Sequence, residues 1–220
     1  MNRYRFDLIS NFVFYYLSIL VMKKYIALIF CLPLFTFGQN RVEAAQKYQT
    51  ELVTFYNNQE TTPLDKDEKQ VFKGITFFDI DEKYIVEAEL ELLKNQKPFL
   101  MPSTGKRQQE YKKYGILHFE IDGQKLQLVV YQNIDLSKRK GYEKNLFLPF
   151  YDLTSGETTY GGGRYLDVEI PESNKMIIDF NQAYNPYCAY SARYSCPITP
   201  EENFLDIEIK AGVTYQKDEI

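Results

Sequence analysis

The sequence predicts a mainly β fold of the α+β class, an antiparallel sandwich or partly open barrel with one N-terminal amphipathic helix. Three observations carry that expectation. From Val71 onward, apolar residues recur at every second position in most segments, the period of a half-buried strand. The 19 tyrosines and 16 phenylalanines favour sheet and can bury a large apolar area. Asp122-Gly123 lies between two alternating runs, and a type I′ hairpin turn needs such a pair because both central residues take positive φ. A chain of 220 residues that is 45% hydrophobic and 25% charged can build one sizeable core and is not a disordered segment.

The elements follow in order. Residues 12–37 are almost continuously apolar apart from Lys23 and Lys24. A spanning helix would bury both ammonium groups near its middle, at about 2.5–3.5 kcal/mol each. Read from Met22, the stretch has a short basic start, an apolar run from Tyr25 to Phe37, and small Gly38 before polar Gln39, the pattern of a secretory signal. Residues 1–21 are then expected to be an over-long gene-model extension, and residues 22–39 a cleaved signal peptide. Residues 40–220 are expected to form a single β-rich domain, periplasmic or secreted by a bacterium, with no stable membrane span after cleavage. An uncleaved anchor through residues 12–37 is the competing reading. Cleavage removes Arg3, Arg5, Lys23 and Lys24 with Asp7, so the net charge of −4 becomes −7. Cys31 leaves with the signal; Cys188 and Cys196 remain, an even pair in an oxidising compartment.

Val42, Ala45, Tyr48, Leu52, Phe55 and Tyr56 recur at spacings of three and four and predict the amphipathic helix. Residues 57–69, polar and containing Pro63, read as a loop. Val86, Ala88, Leu90 and Leu92 alternate with Glu87, Glu89 and Glu91, and the same alternation flanks the Asp-Gly turn in residues 117–121 and 126–130. Residues 94–113, with Pro98, Pro102 and Gly105, read as a long loop. Residues 146–150 read as a buried strand ending at proline, residues 166–170 and 176–178 as a strand pair across a turn, and Leu205, Ile207 and Ile209 as a last strand. That makes about eight to ten strands, as in sandwiches and small barrels.

Polar residues concentrate between Phe150 and Asn203, in loops of the kind that carry sites. Three glycines precede Arg164, whose planar guanidinium suits a carboxylate or phosphate; an internal ion pair with Asp179 or Glu202 is the equally weighted alternative. Asp179 and Asn181 end a strand on one face, and Asn181 and Asn185 also suit turn backbone. Glu202 or Asp179 could act as a general base, with Asn203 as a positioning amide; a solvated Glu202 beside a strand start is the plainer reading. No dinucleotide or phosphate-loop pattern occurs, so no cofactor is expected. His118 is the single histidine and lies far along the chain from both remaining cysteines, so no metal site is expected. For the same reason, a triad through Ser155 and a Cys–His pair are long shots. Cys188 and Cys196, eight apart, are read as a disulfide worth roughly 2–3 kcal/mol. An acidic chain lacks the basic stripe that nucleic acid requires.

These residues resemble a bacterial family known as domain of unknown function 1684. The likeness rests on LFLPFYDLTSGETTYGGGRYLDVEIP (146–171), DFNQAYNPYCAYSARYSCPITPEEN (179–203) and IEIKAG (207–212), with a weaker match at Phe72-Lys73-Gly74. It implies no activity. It does imply that three groups belong together: Tyr160, Gly161, Gly163, Arg164 and Tyr165; Asp179, Asn181, Tyr184, Asn185, Pro186 and Cys188; and Cys196, Pro197, Pro200, Glu202 and Asn203. The family pattern commonly has Arg at Gln182 and Pro at Tyr187, so a role for that arginine does not carry over. It also implies that members without export signals keep both cysteines, which weakens the compartment argument for the disulfide.

Three functions compete. The first is a small-ligand-binding or accessory module in which Tyr160, Arg164, Asp179, Asn181, Tyr184, Asn185, Glu202 and Asn203 hold a small anionic or sugar-like ligand. The second is a hydrolase or transferase with Glu202 or Asp179 as base and Arg164 stabilising developing charge. The third is a purely structural polar network. A raised Glu202 pKa with no cation nearby would favour the second, and an Arg-paired Glu202 the third.

Overall fold

The structure, a computed structural model, describes residues 41–215; the expectations for residues 1–39 lie outside them. From Ala44 onward the described residues belong to one compact unit. Helix α1 (residues 41–57) forms where the three-and-four spacing places it and turns Ala45 and Tyr56 inward. The polar stretch after it is more ordered than a loop, because it contains helix α2 (Lys66–Val71). Asp65 accepts from the backbone of Asp67 and Glu68, while Glu68 reaches back to the Asp65 amide at 2.9 Å. This capping box, spelled D-x-x-E, was the overlooked signal.

The strands are β1 (Ile85–Leu92), β2 (Phe99–Met101), β3 (Gln109–Ile121), β4 (Gln124–Asn133), β5 (Asn145–Asp152), β6 (Arg164–Glu169), β7 (Lys175–Asp179) and β8 (Phe204–Leu205). They form a mostly antiparallel sheet that curls into a half-barrel, in the order β6-β5-β4-β3-β1-β7, with β2 added on β3 and β8 parallel to β5. Asp122 and Gly123 take φ of 51° and 81° in the β3–β4 turn, as the hairpin requires.

Three expectations are corrected. Residues 94–113 are not one loop, since β2 and the start of β3 pair within them, Phe99 opposite Tyr111. Pro149 does not end β5, which runs on to Asp152. Strands β6 and β7 do not pair, although residues 170–174 alone join them: β6 pairs with β5, β7 with β1, and the two form opposite ends of the sheet path. Hydrophobic alternation sets which face a residue takes but not its strand's neighbour.

The core fills the hollow of the sheet: Val86, Ala88 and Leu90, Leu117, Phe119 and Ile121, Leu128 and Val130, Leu146 and Leu148, Met176 and Ile178. A second cluster on the other face joins Met101, Tyr111, Tyr131, Phe147 and Tyr165. An aromatic cluster of Tyr56, Phe72 and Tyr190 joins the α1–α2 region to the late loops, with ring centroids 5.3–5.5 Å apart.

Candidate functional site

The three polar groups occupy separate places, each where a strand needs help. Arg164 opens β6 on the inward side and is wholly buried. Its guanidinium donates to Asp152 Oδ2 at 2.7 Å, to the Ile209 carbonyl at 2.8 Å and to the Ala211 carbonyl, and stacks on Phe150 with 5.1 Å to the ring centroid. The counter-ion is therefore Asp152, not Asp179 or Glu202. The last predicted strand forms a ladder only at Phe204–Leu205; beyond it, Arg164 and Asp152 take up the backbone at Ile209 and Ala211. Asp152 also accepts from the Thr154 amide at 2.7 Å and hydroxyl at 2.6 Å. That Asp-x-Thr turn was the legible sign of an acid committed locally. Gly163 stands just before with φ +88°, and a Cβ there would meet the Phe150 carbonyl at 2.5 Å, so a side chain cannot be accommodated.

Asp179 caps a single 3-10 turn, accepting from the Asn181 amide at 3.0 Å, the Asn181 carboxamide at 2.9 Å and Gln182 at 2.9 Å. Asn181, also wholly buried, exchanges hydrogen bonds with both backbone groups of Asp81, and its own carbonyl accepts from Gln49 of α1. Tyr184 pairs its backbone with Tyr165 and donates to Asp167 at 2.8 Å. Asn185 is buried and donates to Tyr190 and to the Thr214 carbonyl. Tyr160 packs edge-on against Tyr215 at 5.3 Å.

Asn203 fills a break in the sheet. Strands β4 and β5 share a single paired position, Tyr131 opposite Phe147, and the same register brings Pro149 opposite Val129. Proline has no amide to offer there, and the Asn203 carboxamide substitutes. It accepts from Val129 N at 2.8 Å and donates to the carbonyls of Val129 at 2.8 Å and Pro149 at 2.6 Å. A proline within a central strand is thus tolerated by a side chain that mimics the missing peptide.

Next to it, Glu202 accepts from the buried Tyr131 hydroxyl at 2.5 Å and from Lys113 at 2.7 Å. Burial works against its charge, yet the Lys113 ammonium and the Tyr131 hydroxyl prevail and hold the carboxyl below its ordinary range. Sequence reasoning missed Asp152, Asp81, Tyr131 and Lys113, all from other segments. His118 lies on the outer face of β3 and pairs with Glu91 at 2.9 Å. The sulfurs of Cys188 and Cys196 sit at disulfide distance, with Cα atoms 6.2 Å apart, inside the range a disulfide spans. No group of metal-ligating side chains and no helix long and apolar enough to cross a membrane occurs among the described residues.

Two hollows are relevant. One, of about 720 Å³, lies over the charged outer face of β1, β3 and β4, where Glu87 is paired with Lys175 and Glu91 with His118. The other, of about 280 Å³, is the cleft between β6 and β7, to which Asp167, Asp179 and Gln182 contribute.

This curled sheet, stitched by buried Arg and Asn side chains, defines a half-barrel β domain. The family model described as a protein of unknown function, DUF1684, matches residues 70–214, and the chain belongs to that family. It is also similar to the solution NMR structure of an uncharacterized protein from gene locus rrnAC0354 of Haloarcula marismortui: 31% identity, TM-score 0.63, covering 80% of this chain and 95% of that one. Among curated proteins, none matches.

Proposed function

We propose that the chain is an exported, non-catalytic binding or accessory module. In this reading its Arg/Asn/Asp motifs are the frame of the fold, and its cleft between β6 and β7 is the binding place. The carrying observation is the complete burial of Arg164, Asn181 and Asn203: the terminal nitrogens of Arg164 bond Asp152 and the Ile209 and Ala211 carbonyls, leaving its Nε buried without a partner, and both carboxamides bond backbone, that of Asn181 also bonding Asp179. Catalysis finds less support. The Asp179 carboxylate already accepts three hydrogen bonds, and both Glu202 oxygens are engaged, by Lys113 and by Tyr131, which lower its pKa and so weaken it as a base. The Arg164 guanidinium, committed to Asp152 and to backbone carbonyls, is not free to grip a small acid.

The test pairs thermal unfolding of Arg164→Met with a binding and turnover screen of the full chain against simple acids, sugars and short peptides. A large loss of stability, with no turnover by the parent chain, supports the reading. Unchanged melting together with lost ligand binding would return Arg164 to a binding site, and hydrolysis of any probe would make the domain an enzyme.

A further inference from the structure

The β6–β7 cleft is bounded by two sheet edges that face each other, and strand phase tells which backbone groups point into it. The Tyr165 amide and carbonyl both bond Tyr184, while the Ile170 amide bonds Lys144 beside β5. Alternation along β6 therefore turns the backbone of Asp167 and Glu169 away from β5, toward the cleft. In β7, the Asn174 carbonyl accepts from Leu90 at 2.7 Å, which fixes Met176 and Ile178 on the β1 side and turns Lys175, Ile177 and Asp179 outward. Among the described residues, no strand pairs with the outer edge of β7 or with β6 beyond Tyr165. The cleft is closed at one end by residues 170–174 and at the other by the Tyr165–Tyr184 bridge. The hollow itself measures about 280 Å³ and is lined by Asp167, Glu169, Lys175, Ile177 and Asp179, so an occupant would lie along the strand edges and not be enclosed.

We propose that this cleft takes a short, extended, basic peptide segment, which bonds main chain to main chain with β6 and β7 and so completes the barrel wall. This deepens the binding-module reading and rests on it. Two features select the occupant. The Lys175 amide is taken by Ser173 Oγ at 3.2 Å, and the remaining outward backbone groups at Asp167 and Glu169 on one wall and Ile177 and Asp179 on the other are those of a missing strand, the chemistry of strand addition. The charge on the walls is Asp167, Glu169 and Asp179 against Lys175, which is itself paired with Glu87 at 2.5 Å, so a lysine or arginine side chain is complementary. Ile177, 39% exposed on the cleft edge, gives the peptide an apolar contact.

The test measures fluorescence anisotropy of a labelled tetrapeptide alternating lysine and valine, the length of the free edge between Tyr165 and residue 170, against the full chain. Its partners are the same peptide N-methylated at alternate amides, and a lysine-to-glutamate version. Saturable binding of the basic peptide, lost on N-methylation and in the acidic version, is the expected result. Glu169→Lys should weaken binding about fivefold at low salt, since it reverses a rim charge. Ile177→Pro removes an amide that faces the cleft and no bond to β1, so it should abolish binding while leaving the melting temperature near the parent value. If Ile177→Pro unfolds, the N-methyl and Glu169→Lys comparisons still decide. Equal binding of the N-methylated peptide, or displacement by simple sugars alone, overturns the proposal. Failure here with a destabilised Arg164→Met leaves the module reading standing without this occupant; binding followed by cleavage keeps the cleft and overturns the non-catalytic reading.

Discussion

Arg164 and Asp152 are a wholly buried ion pair, a kind of contact whose desolvation cost rivals its attraction but whose breakage is expensive. Arg164→Met leaves Asp152 buried without its cation and should cost about 3–5 kcal/mol in urea unfolding. Adding Asp152→Leu removes the orphaned charge but strands the Thr154 and Ile209 amides that Asp152 accepts, so it should recover only part of that loss; a double variant more stable than the parent chain would place the cost elsewhere. Asn203→Ala strands Val129 N and the Pro149 carbonyl inside the sheet, and at about 1–3 kcal/mol per orphaned buried group the expected loss is about 2–6 kcal/mol. Glu68 behaves differently because it is near solvent. Its bond to Arg193 carries its pKa from 4.5 down to about 2. A lowered carboxylate stabilises the fold above its unfolded value, and that contribution fades as pH falls from 4.5 toward 2. Melting temperature should therefore drop less steeply across that window in Glu68→Gln than in the parent chain.

The elements were legible where a local rule governs them. Helix α1 follows from its spacing, β1 and the β3–β4 hairpin from alternation and the Asp-Gly pair, and α2 from a capping box that a stricter reading would have caught. What failed was neighbour choice. Pro149 reads locally as a strand end, and the strand continues because Asn203, 54 positions away, supplies the missing donor. Strands β6 and β7 look like a hairpin, but their five-residue connection crosses the open side of the half-barrel. The Cys188–Cys196 link acts at the same scale, closing a loop of sequence separation 8 whose Cys196 backbone is bonded to Thr104. Replacing both cysteines by serine should cost roughly 2–3 kcal/mol, the loop-closure value for so short a ring. A melting temperature equal to that of the reduced parent chain, and below that of the oxidised one, would identify the disulfide as the cause.

At the scale of the whole molecule, the polar motifs read as a site in sequence because Arg, Asn, Asp and Tyr crowd into glycine- and proline-rich loops. In the fold they lie at three seams: Arg164 where β6 meets the final segment, Asn181 where β7 turns toward Asp81, Asn203 where β4 and β5 part. The family resemblance implied that the three groups belong together; the fold spreads them over three seams, each group bracing its own.

The sequence by itself determined the class of fold, the inward and outward faces of most strands, the first helix and the hairpin, because those depend on periodicity and on one or two adjacent residues. Tertiary structure alone decided which strands are neighbours, that Arg164 is neutralised by Asp152, and that an open cleft lies between β6 and β7. Each of these depends on groups far apart in the chain, brought together by the curl of the sheet, and burial then turns a reactive-looking side chain into an internal brace.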